Sequence, residues 1–100
     1  MSEEPRKSTI LEEARKRVFN ENQVKYGHPA INFAQVGEMW TLILRARGHV
    51  IDDPLDAHTV ALMMQAWKMC RLLRGYDRDS VKDMAGYAQT MELIDDFMNK

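Results

Sequence analysis

Cysteine, proline and long apolar runs are scarce in this sequence, and each scarcity excludes something. A single cysteine, Cys70, leaves no partner for a disulfide within one chain and no thiolate set for a metal. It reads as a small buried thiol in a reducing compartment. No stretch approaches the roughly 20 consecutive apolar residues of a membrane span, and Met1 to Lys7 lacks the apolar centre of a signal peptide. The expectation is a cytoplasmic protein with no membrane partner. Charge of one sign is also missing. Fourteen Lys and Arg face fifteen Asp and Glu, for a net charge of -1. Extended DNA binding needs many unopposed phosphate contacts and is not expected from such a balance. The phosphate-cradling patterns GxxxxGK[ST] and GxGxxG do not occur, nor do HExxH, CxxC or GxSxG. Sustained alternation of polar and apolar residues, the mark of strands, is lacking too.

What is present fits a small helical domain. Hydrophobic residues make up 45% and charged residues 29%, an ordinary globular balance. One hundred residues suffice for one thin core, and chains this short often complete such a core with a second copy, so a homo-oligomer is expected. Residues 1–8 read as a flexible polar tail and 9–100 as a single all-α domain, a four-helix bundle or close variant. Thr9 with Glu12 forms a capping-box signature, and Ile10, Leu11, Ala14 and Val18 recur at helical spacing to about Glu21. Glu12 with Lys16 and Glu13 with Arg17 are spaced as helical ion pairs. The second helix is expected over 31–47, stopped by Gly48. The third runs from Pro54 to Arg74 and is apolar around most of its circumference, which predicts the most buried helix. The fourth starts at a cap on Asp77 or Asp79 and ends near Met98. Gly86 inside it suggests a close pass by another helix or by a ligand.

The candidate chemistry centres on Lys68 to Tyr87, the end of one helix, a turn and the start of the next. Lys68 and Arg71 are three apart and Asp79 and Asp83 four apart, so each pair shares a helix face. Two cations opposite two carboxylates make either an internal ion-pair lock or an anion site with a place for a metal. Lys68 and Arg71 suit phosphate or carboxylate. Asp79 and Asp83 could hold one Mg²⁺ together with substrate oxygens. Tyr87, one turn beyond Asp83, is placed to stack on a base. The loop Lys25, Tyr26, Gly27, His28, Pro29 to Asn32 is rich in hydrogen-bonding side chains and is the candidate third wall, with Lys25 on phosphate, Tyr26 flanking a base, and His28 and Asn32 as further contacts. The expected ligand is therefore a nucleotide or another phosphate-bearing small molecule.

Lys-Tyr-Gly-His-Pro-x-x-Asn-Phe (25–33), Trp40, Val-Ala-Leu-Met-Met-x-x-x-Lys-x-x-Arg (60–71) and Arg-Asp-Ser-x-x-Asp-x-Ala-Gly-Tyr (78–87) together resemble a family of small uncharacterised phage and prophage proteins, over about residues 10–95. The resemblance implies a protein of an infected or lysogenic host cell. More distantly, the Lys-x-x-Arg helix followed by Asp-x-x-x-Asp is similar to a phage nucleotide-modification-associated domain and to the all-α nucleotide pyrophosphohydrolases of the MazG type. Those enzymes bind Mg²⁺ through a Glu-Glu-x-x-Glu helix and a second acidic helix. Here Glu12-Glu13 is followed by Lys16, and only Asp79 and Asp83 have a counterpart. The resemblance implies nucleotide binding, with hydrolysis or sequestration both open. The alternative is a non-enzymatic interaction protein that engages a host or phage protein through a helix face.

Overall fold

In the computed structural model, which describes residues 8–99, the Thr9 hydroxyl accepts a hydrogen bond from the Glu12 amide at 3.2 Å and so starts the first helix. Three segments then run on without a break: α1 (Ile10–Lys16), a π-helical stretch (Arg17–Asn22) and α2 (Gln23–Tyr26). This arm is five residues longer than the sequence pattern predicts. Gly27 ends it at φ +79°, a conformation that disfavours any side chain. The His28 ring nitrogen Nδ1 accepts from the Ala30 amide, and Pro29 fills the first turn of α3 (Pro29–Ala46). At the far end, the His49 amide bonds back to the Leu44 carbonyl around Gly48 at φ +93°, a Schellman closure.

The loop that follows is folded back onto α3. The Thr41 hydroxyl donates to the Gly37 carbonyl at 2.7 Å and accepts from the Leu55 amide at 2.9 Å. The Arg45 guanidinium donates to the Ile51 carbonyl through Nε and Nη2. Gly37 permits the approach, since a methyl there would lie 2.1 Å from the Leu55 carbonyl oxygen. The Asp56 carboxylate then caps α4 (Ala57–Leu72) by accepting from the Thr59 amide at 2.7 Å. Asp77, whose carboxylate accepts from the Ser80 hydroxyl at 2.5 Å, precedes α5 (Arg78–Met98).

The protein is all-α, with four rods if the first arm is counted as one, and no strand among the described residues. Helix α5 is the central one: it packs on α4, on α1 and on α3. Ala30, Ala57, Ala61 and Ile94 form the buried cluster, with Phe33 and Met91 against it. Small residues dominate, so the helices approach closely but little apolar area lies at the centre.

That arrangement corrects the expectation for the third helix. Its inward face, Ala57, Val60, Ala61 and Lys68, is buried. Leu62, Met69 and Leu73 on the opposite side are exposed, and so is Cys70, expected to be buried, because α3 and α5 cover only one side of α4. The expected Glu13–Arg17 helical pair is likewise replaced: Glu13 accepts both terminal nitrogens of Arg78 on α5. The expected tail at residues 1–7 lies outside the described residues. Ser8, placed in that tail by the sequence, is half-buried.

Candidate functional site

A cavity of about 500 Å³ opens between the first arm, α3, α4 and α5. Its position follows from local structure. The π-helical stretch turns Val18 inward, where it is buried, and carries Arg17 and Asn22 to the cavity wall. Wider turns of this type redirect side chains that a regular α-helix would hold in register with their neighbours. Gly86 lines the opposite wall. A methyl there would sit 3.5 Å from Val18, an ordinary contact, so the glycine adds room without being required by a clash.

The charged part of the wall is assembled from three elements. Lys68, from the second half of α4, is buried at 8% exposure. Its ammonium lies 2.8 Å from one carboxylate oxygen of Asp83 and 4.5 Å from the centre of the Trp67 ring. An ammonium over an indole face gains a further electrostatic attraction. Arg17 reaches the other Asp83 oxygen at 4.0 Å. Lys82 lines the cavity as well, and its ammonium stands 3.7 Å from Asp79. Lys68 has three N–H donors, of which Asp83 takes one, so the site retains donor capacity.

The second part of the wall is neutral. Asn22, Gln23 and Asn32 present amides, and Phe33 and Tyr87 lie with ring centres 6.4 Å apart. Among the described residues no side-chain hydrogen bond within the protein occupies those three amides. Burial, and then the nearby Asp83 charge, push the Tyr87 phenol above its ordinary value, so it stays a neutral donor at physiological pH.

Of the residues expected at a site, the structure brings Tyr26, Asn32, Lys68, Asp83 and Tyr87 to this cavity. It does not bring the other four. Lys25 is exposed, with its ammonium 5.3 Å from the Tyr26 ring centre. His28 is engaged as the α3 cap and packs on Phe97, ring centres 4.8 Å apart. Arg71 is exposed and acts on Asp77 by charge, one of several influences that hold that carboxyl below its ordinary value, the Ser80 hydrogen bond being the largest. Asp79 is exposed and faces Lys82. The expected metal pair is therefore split: Asp83 is inside and ion-paired, Asp79 outside. Among the described residues no three His, Cys, Asp or Glu side chains gather as metal ligands.

Sequence reasoning missed Arg17, Asn22, Gln23 and Lys82. Arg17 looked like part of a solvated charged face. It stands three residues after Ala14, a stripe residue that is buried and lines the same cavity.

Residues 9–95 match the family model described as a domain of unknown function, DUF6378. The chain is similar to the gene 55 protein of Mycobacterium phage D29, at 38% identity over 87 residues, which covers 86% of this chain and 53% of that protein. The chain thus spans about half the length of the curated relative it matches. No solved structure matches it. Among the described residues no helix is long and apolar enough to cross a membrane.

Proposed function

The chain belongs to the DUF6378 family, in which no activity is assigned, and from the chemistry of its cavity we propose that it binds a nucleotide or a closely related phosphate-bearing small molecule. One observation carries the reading: a buried lysine, ion-paired to Asp83 and backed by Trp67, faces a cavity otherwise walled by amides and aromatic rings. Burying an ammonium is costly, and one carboxylate leaves two of its donors over. A phosphate oxygen would satisfy them. The cavity lies within the roughly 300–1,000 Å³ usual for small-molecule sites. Phe33, Tyr26 and Tyr87 offer stacking surface to a base, and the three amides offer both donors and acceptors to its edge.

Binding is better supported than MazG-like hydrolysis. Among the described residues Asp83 is the single carboxylate on the wall, and two cations already flank it. A thermal-shift screen against nucleotides and inorganic phosphate tests the proposal. We expect nucleotides to raise the melting temperature of the wild type by binding linkage. They should leave Lys68→Met, in which the cation is replaced by an apolar side chain of similar length, unmoved. A flat response across the panel would overturn it.

A second reading, an interaction protein working through a helix face, is favoured by α4. Leu62, Met69 and Leu73 are 63%, 57% and 85% exposed and follow one another along its outer side. Contiguous apolar surface of this kind marks contact with another chain. A second copy is the occupant that a thin core favours. Sedimentation of wild type and Leu73→Glu decides it: a dimer that becomes a monomer supports self-association, and a wild-type monomer removes the homo-oligomer.

A further inference from the structure

Resting on the reading just given, we infer that the ligand is a nucleoside monophosphate, bound without a divalent metal. The argument is one of charge and of what already surrounds Asp83. Arg17, Lys68 and Lys82 line the cavity with one carboxylate, Asp83, a surplus of two positive charges among the described residues, of which the one on Lys82 is shared with the exposed Asp79 at 3.7 Å. A phosphate monoester, with a second pKa near 6, carries close to two negative charges at neutral pH. The wall and the monoester therefore match. A triphosphate brings about four negative charges and ordinarily arrives with Mg²⁺ to offset them.

The wall has no good place for that ion. Mg²⁺ needs carboxylate, phosphate and water oxygens in a near-octahedral shell. Asp83 is the only carboxylate available, its two oxygens lie 2.8 Å from the Lys68 ammonium and 4.0 Å from Arg17, and a dication placed there would be held against both. Asp79, which the sequence spacing offers as the second ligand, is 82% exposed at its side chain and faces Lys82 outside the site.

The direction in which such a ligand would lie also follows. The charged part of the wall comes from the π-helical stretch, the second half of α4 and the start of α5. The neutral part comes from the end of the π-helical stretch, from α2 and the start of α3, and from Tyr87, one turn further along α5. A monoester on Lys68 and Arg17 extends its nucleoside toward Asn22, Asn32 and the Phe33–Tyr87 pair. Base recognition by unoccupied amides and stacking by aromatic rings are the ordinary means of reading a free base. Asp83 orders the two cations and, in the complex, faces the ligand's phosphate or sugar from behind them.

Isothermal titration of the full chain tests this with deoxyribo- and ribonucleoside monophosphates, the matching triphosphates, a nucleoside and inorganic phosphate, each in EDTA and in excess Mg²⁺. We expect a monophosphate to bind equally in both buffers and tighter than its triphosphate, nucleoside or phosphate alone. Arg17→Gln, at a half-exposed position where folding is not at stake, should weaken it by about tenfold or more, the usual loss of a charge-assisted contact. Triphosphate binding that requires Mg²⁺, with monophosphates silent, would overturn this inference and leave the nucleotide reading standing. Binding of none of these ligands would overturn both. Inorganic phosphate binding as tightly as any nucleotide would overturn the inference by removing the nucleoside.

Discussion

Two ion pairs anchor neighbouring elements to the start of α5, and they differ in what surrounds them. Glu13 of α1 and Arg78 meet as carboxylate and fork, with two parallel hydrogen bonds, away from the cavity. Lys68 of α4 and Asp83 meet through one close contact on the cavity wall. The first pair uses the donors that matter in that geometry and is complete. The second leaves a buried ammonium with one close carboxylate oxygen on the wall of a cavity. The same chemistry, a cation against a carboxylate across two helices, thus serves as a lock in one place and as part of a site in the other. Geometry and residue type separate the two: arginine suits the closed bidentate pair, whereas lysine is a point charge that can be shared.

The largest expected effect comes from breaking the inner pair unequally. Asp83→Ala leaves Lys68 buried without its partner and should destabilise the fold by about 3–5 kcal/mol in urea unfolding. Lys68→Met removes the more deeply buried charge and leaves Asp83 partly exposed beside Arg17, so it should cost clearly less than Asp83→Ala. If both substitutions are equally damaging, Lys68 is a structural residue and the contrast between the two pairs fails.

The outer pair should behave in the opposite way, costing stability but not ligand binding. The Arg78 hydrogen bond, set against a smaller effect of burial, holds the Glu13 carboxyl at about 2, below its ordinary 4.5. The unfolded chain therefore takes up the proton first as pH falls. The stabilisation is complete above about pH 4.5 and is lost as pH drops toward about 2. Urea midpoints measured across that window should fall more steeply for wild type than for Glu13→Gln, and nucleotide-induced shifts at pH 7 should be alike in the two. Parallel curves would show that Glu13 contributes nothing through Arg78.

The smallest effect concerns the cavity rather than either pair. Gly86→Ala adds a methyl at an ordinary 3.5 Å contact with Val18 and removes a helix-interior glycine. It should stabilise the fold by about 0.4–1 kcal/mol. A loss of stability would mean that the helix spacing at Val18 is tighter than that contact implies.

Much of the fold was legible because it is written locally. Thr9, Asp56, Gly48 and Gly75 mark helix boundaries through capping chemistry that needs no tertiary partner. Lys68 opposite Asp83 was legible from helix periodicity and the short turn between α4 and α5. Periodicity failed one step further out. Three residues along a helix is a turn short by about 60°, enough to swing Arg71 from the wall that Lys68 occupies to the surface. Asp79, in the first turn of α5, lies off the packed face on which its neighbour Ser80 is buried. The π-helical stretch was not legible at all, since Arg17–Asn22 contains no glycine or proline to mark it. Helix α4 misled for a different reason. An apolar circumference reports that a helix face wants cover, not that the same chain supplies it.

The central claim is that Lys68 belongs to a binding site and not to a lock, and one measurement bears on it most directly: titration of a nucleoside monophosphate into wild type and Lys68→Met, with the melting temperature of each recorded alongside. We expect binding to the wild type, none to the variant, and a variant that still unfolds cooperatively and above Asp83→Ala. Equal binding by both proteins, or a variant that loses stability while the wild type binds nothing, would contradict it.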